Sequence, residues 1–174
     1  MRKSSTSESL TESGVRGTGT WRIRKVQSRD LPEIMMINRK SFVLPYTSTV
    51  FREFYKEHRY AFLVAEMDGA VAGYAMSRIL KKLNFRGFGV KKIGHIMSIA
   101  VHPDFRRRGI GRDLLNTTID ILWGKEANEI RLEVRVGNQL AKDIYSRFGF
   151  LEDRILQGYY SDGEDAMLMV MKKE

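Results

Sequence analysis

The chain contains no cysteine, only three histidines and no long apolar run. The absence of cysteine excludes a disulfide framework, a thiol nucleophile and a cysteine-ligated zinc site. His58, His95 and His102 do not have the spacing of metal ligands, so we expect no metal. No apolar stretch approaches the roughly 20 residues that cross a bilayer, so we expect no membrane span. A reducing cytoplasm is the expected compartment.

Composition indicates one globular domain with a polar N-terminal tail. Of the 174 residues 43% are apolar and 29% charged, as in an ordinary soluble domain. Residues 1–19 contain almost no apolar side chains, so we expect a disordered tail without the apolar centre of a secretory signal. The folded domain is predicted to span residues 20–174. Most of the formal net charge of +9 lies in this domain. A positive charge favours acidic partners, namely nucleic acid, a ribosome or a phosphate-rich cofactor, and does not distinguish among them.

Hydrophobic periodicity predicts the order β-α-α-β-β-β-α-β-α-β-β. This order predicts an α/β fold with a mixed sheet and helices on both faces. Asp68-Gly69 is a hairpin signal between two apolar runs. Residues 81–93 are basic and interrupted by glycine, so we expect a loop there, followed by a strand over residues 94–101.

A glycine-containing basic segment follows that last strand. Its sequence is Arg106-Arg107-Arg108-Gly109-Ile110-Gly111, and leucines recur at helical spacing after it. Glycine lets the backbone approach a ligand or adopt positive φ. The free N–H groups of a first helical turn bind anions, and adjacent arginines favour phosphate. This segment therefore predicts a phosphate-binding helix N-terminus.

A second polar segment lies about 30 residues downstream. Asn138 is a good helix N-cap, while Ala141 and Tyr145 lie one turn apart on the same helix face. A small residue below a tyrosine leaves room for a thin ligand chain whose end the phenol can reach. The helix is predicted to end at Gly149, a residue type that accepts the left-handed conformation.

Together the two segments resemble the GCN5-related N-acetyltransferase superfamily, with its R/Q-x-x-G-x-G/A and N-x-x-A-x-x-x-Y patterns. Residues 94–101, 132–136 and 158–166 are further similar to its protein N-terminal acetyltransferase branch. That branch includes archaeal acetyltransferases, the catalytic subunits of NatA and NatE, and bacterial ribosomal-protein alanine acetyltransferases. The resemblance covers residues 20–172.

The resemblance implies a single-domain fold with a mostly antiparallel sheet whose central strands splay apart, and it implies acetyl-CoA as cosubstrate. It places the pantetheine along Ile99, Ala100 and Val101, with contacts to Asn138 and Tyr145. It places the pyrophosphate on the glycine segment and the start of its helix, namely Arg106, Arg107, Arg108, Gly109, Ile110, Gly111 and Arg112.

The resemblance also implies direct attack of a protein α-amine on the thioester. Glu133 and His95 are the implied bases, acting through water, and Tyr145 is the implied acid for the departing thiolate. The implied walls of the peptide groove are Leu44, Pro45, Tyr46, Tyr159 and Tyr160. The chain departs from NatA-type enzymes, which carry a carboxylate after Leu-Pro, because Tyr46 follows here. We therefore expect an apolar site that accepts Met-Leu-like or varied N-termini, including Ser and Ala.

Several alternatives stay open at the level of sequence. Glu133 fits an exposed strand face, His95 a structural histidine, and Tyr145 a core aromatic. The acceptor could instead be a ribosomal protein, a lysine side chain or a small amine. A different class is a non-catalytic CoA-binding module. We expect no specific nucleic-acid recognition, because no aromatic ladder or recognition helix accompanies the basic residues. The basic charge fits docking on a ribosome, and the sequence does not require an auxiliary subunit.

Overall fold

The computed structural model describes residues 12–15, 20–83 and 89–173, and this part of the chain forms eight strands and four helices. The strands are β1 (Glu12–Val15), β2 (Thr20–Lys25), β3 (Phe62–Met67), β4 (Ala70–Leu83), β5 (Val90–Val101), β6 (Glu129–Arg135), β7 (Leu151–Leu156) and β8 (Ala166–Lys172). The helices are α1 (Leu31–Ser41), α2 (Ser48–His58), α3 (Ile110–Gly124) and α4 (Gln139–Arg147). None of these helices in the described ranges is long and apolar enough to cross a membrane.

One sheet with the order β1-β2-β3-β4-β5-β6-β8-β7 organises the molecule. Neighbouring strands are antiparallel except β5 and β6, which are parallel because α3 carries the chain back across the sheet. The parallel pairing runs only from Ile93–Glu129 to Ile96–Leu132. Beyond that point β5 and β6 have no ladder between them, so the centre of the sheet opens towards the C-terminal ends of both strands.

Helices pack on both faces of the sheet, as predicted. Along β3, Phe62 and Val64 join the core beneath α1 and α2, while Leu63 and Ala65 join the core beneath α3. This alternation is the period of two expected for a strand buried on both faces. The predicted mixed sheet with helices on both faces is therefore confirmed, and so is its opening between the central strands.

Two segments differ from the sequence-based expectation. The loop expected over residues 81–93 is mostly strand, because β4 and β5 continue their antiparallel pairing out to Leu83 and Val90. Only residues 84–88 within it lie outside the described residues. In the tail, residues 12–15 pair with β2, although disorder was expected there. The difference arises because a strand at the edge of a sheet can be held by main-chain hydrogen bonds alone, and the amino-acid composition of the tail does not reveal such bonds. Residues 1–11 and 16–19 lie outside the description.

Candidate functional site

The gap between β5 and β6 contains two adjoining cavities. Cavity A has a volume of about 240 Å³ and is lined by Phe42, Val43, Leu44, Tyr46, Met97, Ser98, Ile99, Glu133, Val134, Arg135, Asn138, Ala141, Tyr145, Tyr159 and Tyr160. Cavity B has a volume of about 250 Å³ and is lined by Ile99, Ala100, Val101, Gly111, Arg112, Leu115, Ala141, Ile144 and Tyr145. Ile99, Ala141 and Tyr145 line both cavities, so the two spaces meet at these side chains.

A β-bulge on β5 lies at the junction. Ser98 pairs with Met76 and Ile96 with Ser77, so Met97 has no partner in the ladder with β4. A bulged residue bends its strand and turns the following side chains to the opposite face. The bulge therefore re-aims β5 just where it separates from β6, and Met97 and Ser98 both face cavity A.

His95 and Glu133 form a direct pair across these two strands. Nε2 of His95 lies 2.7 Å from Oε2 of Glu133, and the side chains are only 14% and 17% exposed. With Glu133 ionised, the N–H at Nε2 donates a hydrogen bond to the carboxylate. Glu133 lines cavity A, and both residues line a smaller cavity C of about 170 Å³. The carboxylate thus connects the imidazole to cavity A.

Three tyrosines around cavity A keep their protons at neutral pH. Burial raises the pKa of Tyr145 to about 12, with a smaller effect of the nearby Tyr160. Burial and then the negative charge of Glu133 raise the pKa of Tyr159 to about 12. The same two causes raise the pKa of Tyr46. All three phenols are therefore available as hydrogen-bond donors.

The glycine segment has the backbone geometry of an anion cradle. Gly109 is the N-cap of α3 with φ of +96°, and Arg107 also has positive φ at +59°. A Cβ on Gly111 would lie 3.4 Å from a methyl of Val101, an ordinary van der Waals contact between the start of α3 and the end of β5. The first N–H groups of a helix have no partner inside that helix and attract anions.

The arginines of this segment partly stabilise the loop itself. Nε of Arg106 donates to the carbonyl of Val101 at 3.0 Å, and Arg108 donates to the carbonyl of Asp104 at 3.2 Å. Arg112 pairs with Asp113 at 3.1 Å. These contacts occupy part of the donor capacity of each guanidinium and leave further N–H groups for an anion.

The helix α4 begins and ends as predicted from its residue types. The Asn138 side chain accepts a hydrogen bond from the Ala141 N–H at 3.2 Å, and Gly149 follows the helix with φ of +92°. The cap fixes the first turn of α4, which places Ala141 and Tyr145 on the wall shared by cavities A and B. Asn138 thus serves as a cap and also lines cavity A.

Arg135 anchors the loop that carries Tyr159 and Tyr160, a role that the sequence analysis missed. Its guanidinium pairs with Asp162 at 2.9 Å and with Glu164, and it lies 4.1 Å from the centre of the Tyr160 ring. The acidic residues of the loop between β7 and β8 were the available signal in the sequence. The ion pairs hold both tyrosines over cavity A.

A buried polar network supports the opposite wall and was also missed. Asn38 donates from Nδ2 to the carbonyl of Tyr46 at 3.0 Å and accepts from the Tyr74 hydroxyl at 3.3 Å. The Tyr74 hydroxyl lies 2.9 Å from Oγ of Ser98. Asn38 and Tyr74 are almost completely buried. The network therefore ties the loop between α1 and α2 to β5; the polar Asn38 within an apolar helix face was the only signal in the sequence.

The structure brings most of the predicted residues to one place, but not all. Cavity A collects Leu44, Tyr46, Glu133, Asn138, Tyr145, Tyr159 and Tyr160, and cavity B collects Ile99, Ala100, Val101, Gly111 and Arg112. His95 lines cavity C and reaches cavity A only through Glu133. Five predicted residues line neither cavity A nor cavity B: Pro45, Arg106, Arg107, Arg108 and Gly109. The Ile110 side chain is buried in the core. Among the described residues, no group of three His, Asp or Glu side chains is placed to hold a metal.

The chain is similar to several known proteins. The family model described as Acetyltransferase (GNAT) family matches residues 31–150. An N-alpha-acetyltransferase of Sulfurisphaera tokodaii is 44% identical over 158 residues, covering 86% of this chain and 91% of that protein. The ribosomal protein bS18-alanine N-acetyltransferase of Escherichia coli K12 is 31% identical over 152 residues, covering 86% and 95%. The crystal structure of Ard1 from Thermoplasma volcanium matches with a TM-score of 0.75 and 27% identity, covering 88% of this chain and 98% of that chain.

Proposed function

The chain belongs to the GNAT acetyltransferase family, and we propose that it transfers the acetyl group of acetyl-CoA to the α-amine of protein N-termini by direct attack in a ternary complex. The nitrogen forms a bond to the acetyl carbon while the carbon–sulfur bond breaks. CoA leaves as a thiolate that takes a proton from solvent, and the proton lost by the amine goes to a base. The relatives named N-alpha-acetyltransferase support this choice of acceptor.

The observation that carries the proposal is the meeting of two cavities at Tyr145. Cavity B runs from this tyrosine to the start of α3, and cavity A runs from it to the tyrosine-lined opening. Two substrates that enter from opposite ends would therefore meet beside one phenol and one carboxylate. Such positioning removes most of the entropic cost of a two-substrate reaction.

Acetyl-CoA fits cavity B and its surroundings by the chemistry of the lining. The free strand edge at Ile99 and Val101 offers main-chain groups to the pantetheine amides, as an added strand would. The N–H groups from Arg107 to Arg112 would hold the pyrophosphate. The bulge at Met97 gives β5 a main-chain group outside the ladder with β4 that could polarise the acetyl carbonyl.

Glu133, assisted by His95, is the base in this proposal. A peptide α-amine has a pKa near 8 and lysine one of about 10.4, so deprotonating lysine costs ~3.5 kcal/mol more. A modest base is therefore enough for an α-amine, directly or through one water. The His95 hydrogen bond fixes the orientation of the carboxylate and can stabilise the charge that moves through the pair.

Tyr145 assists departure of the sulfur. Its pKa of about 12 keeps the phenol protonated throughout the neutral range. A thiol has an ordinary pKa of about 8.5, so the phenol is a weaker acid than the thiol that forms. Tyr145 therefore acts by donating a hydrogen bond to the leaving sulfur, and the thiolate then takes its proton from solvent.

The apolar rim of cavity A favours an apolar or small first residue. Phe42, Leu44, Tyr46 and Tyr159 are each between 38% and 47% exposed around the opening. Glu133 is the only carboxylate among the described residues that line the cavity. It would repel an acidic first residue and attract a cationic amine. Met-Leu-like N-termini and small ones such as Ser and Ala are the proposed acceptors.

A narrower candidate is the N-terminal alanine of a ribosomal protein, favoured by the Escherichia coli relative. The chemistry is the same, and only the acceptor sequence differs. A peptide panel separates the two. It contains Met-Leu, Ser, Ala, acidic and bS18-like N-termini, each with one internal lysine, and mass spectrometry locates the added acetyl group.

The proposal predicts one acetyl group on the α-nitrogen of the Met-Leu, Ser and Ala peptides. Acetylation of the lysine instead would contradict the acceptor class. A panel in which acidic N-termini alone react would contradict the apolar site. No acetylation of any peptide, together with tight CoA binding, would indicate a binding module.

A further inference from the structure

We propose that the end of the β4–β5 hairpin is a docking surface for the phosphate backbone of ribosomal RNA, bound without regard to base sequence. The surface, here called the lysine arm, consists of Lys81 and Lys82 on β4 with Lys91 and Lys92 on β5. The choice of ribosomal RNA rests on the proposed function, because an enzyme of N-termini meets its substrates where a ribosome releases them. The binding of a polyanion does not rest on it.

The lysine arm places like charges opposite each other. Lys81 pairs with Lys92 and Lys82 with Lys91 in the antiparallel register. Like charges at directly opposed positions destabilise a hairpin. Ion pairs of Lys91 with Glu129 and of Lys92 with Glu126 offset part of this repulsion, and a bound polyanion would offset the rest.

The strands beside the arm add to the positive charge. Glu129 of β6 pairs with Ile93 on one side and with Lys172 on the other, so Lys172 lies on the same end of the sheet, followed by Lys173. Two glutamates oppose the lysines here: Glu126 pairs with Lys92 at 2.5 Å, and Glu129 pairs with Lys91 at 2.7 Å.

The remaining lysines stay free of such contacts. Lys81, Lys82 and Lys172 make no ion pair with a carboxylate in the part of the chain that the structure describes. Their ammonium groups keep their charge for a partner outside the molecule. The excess of cations therefore belongs to this end of the sheet and is not neutralised within it.

The cosubstrate cannot account for this charge. The lysine arm adjoins the start of β5, whereas the glycine segment follows its end at Val101. Twelve residues of strand span about 36–40 Å at ~3.3 Å per residue. Ser98, in the wall of cavity A, lies six residues from Lys92, or roughly 20 Å at ~3.3 Å per residue. A polyanion on the arm would leave the opening of cavity A free.

The distribution of lysines favours RNA over an acidic protein surface. Consecutive residues of a strand point to opposite faces, so Lys81 and Lys82 lie on different faces of the ribbon, as do Lys91 and Lys92. A flat acidic surface would contact only one face. A folded RNA offers phosphates on both sides of a groove or crevice, so both faces of the ribbon can be neutralised together.

The test uses the full chain, a fluorescent hairpin from large-subunit ribosomal RNA and a titration at several salt concentrations. The double variant K81Q/K172Q removes two exposed, unpaired lysines at this end of the sheet, and it keeps Lys82 because Lys82 lines cavity C together with His95 and Glu133. The matched control K25Q/K56Q removes two exposed lysines of β2 and α2, with the same change of net charge. We expect K81Q/K172Q to bind the RNA about tenfold more weakly, with a salt slope smaller by ~1.5, and the control to bind like the wild type.

Three results would overturn the proposal: no RNA binding by the wild type at low salt, equal losses in both double variants, or equally tight binding of polyglutamate. The last would indicate an acidic polypeptide as partner. Peptide acetylation is measured in the same preparations and is expected to be unchanged in both variants. Loss of RNA binding with acetylation intact in K81Q/K172Q separates the arm from the catalytic proposal. Absent acetylation in the wild type would contradict the catalytic proposal and leave the RNA proposal standing.

Discussion

Nε2 of His95 lies 2.7 Å from the carboxylate of Glu133, a contact between residues 38 positions apart in the chain. It forms because β5 and β6 are parallel neighbours with His95 beside Arg131, so that Glu133 is the next side chain on the same face. The imidazole does not face the cavity where the substrates would meet. We therefore treat Glu133 as the group that contacts the amine and His95 as its positioning partner.

Replacing the carboxylate tests this assignment. Glu133→Gln preserves size but removes the charge, and we expect kcat/KM for a Met-Leu peptide to fall about 100-fold. His95→Ala should fall less, because it leaves the carboxylate in place. Activity of Glu133→Gln should recover partly as pH rises past ~8, where the amine loses its proton unaided. Glu57→Gln on α2 is the exposed control, and wild-type rates and pH profiles in both site variants would place the base elsewhere.

Tyr145→Phe removes only a hydroxyl from the junction of the two cavities. We expect kcat to fall at least about tenfold with little change in the KM of the peptide, because the hydrogen bond forms as the sulfur leaves. Since the pKa of Tyr145 is about 12, its acidic form is lost only as pH rises through that value. The wild-type pH–rate profile should therefore show no decline from this group below pH ~10, and an unchanged kcat in the variant would remove Tyr145 from the mechanism.

Gly109 and Gly111 form a matched pair for testing the anion cradle. The Gly109→Ala variant has room for the added Cβ, but its alanine must adopt a φ of +96°, which strains an L-residue. We therefore expect its free energy of unfolding to fall by about 1–2 kcal/mol. Gly111→Ala keeps helical φ and meets Val101 at 3.4 Å, so its stability should change little. Thermal melts measure stability, and calorimetry with CoA measures binding. Equal melting of both variants would contradict the strain argument.

Tyr74→Phe tests whether the buried network positions the loop with Tyr46. The change removes the hydroxyl between Asn38 and Ser98 without opening a cavity. We expect a loss of about 1 kcal/mol in stability and a several-fold higher KM for peptide, with the KM of acetyl-CoA unchanged. Tyr55→Phe in the same core is the control. A variant that melts at a lower temperature but keeps the wild-type KM for peptide would show that the network stabilises the fold and does not position the peptide site.

Local chemistry explains which predictions from the sequence succeed. The cap at Asn138 and the stop at Gly149 depend on residues within one turn, so residue type predicts them. The lysine arm was expected to be a loop because its composition is polar, yet it pairs through main-chain groups that composition does not describe. Local pattern does not predict the position of the gap between β5 and β6, because that position depends on where the β5–β6 ladder stops.

Contacts between distant residues explain what the sequence does not predict. The Asn38–Tyr74–Ser98 network joins a helix to two strands, and each member alone is an ordinary polar residue in an apolar element. The contact of His95 with Glu133 likewise requires the parallel register, which follows from the crossover through α3. Both depend on tertiary packing.

Binding of a bisubstrate conjugate, CoA joined through an acetyl linker to the α-nitrogen of a Met-Leu peptide, tests the meeting of two substrates at Tyr145 most directly. Calorimetry should show the conjugate binding at least about 100-fold more tightly than CoA or peptide alone, and competing with both. A conjugate that binds no more tightly than CoA, or that leaves the peptide bound, would contradict a ternary complex in cavities A and B.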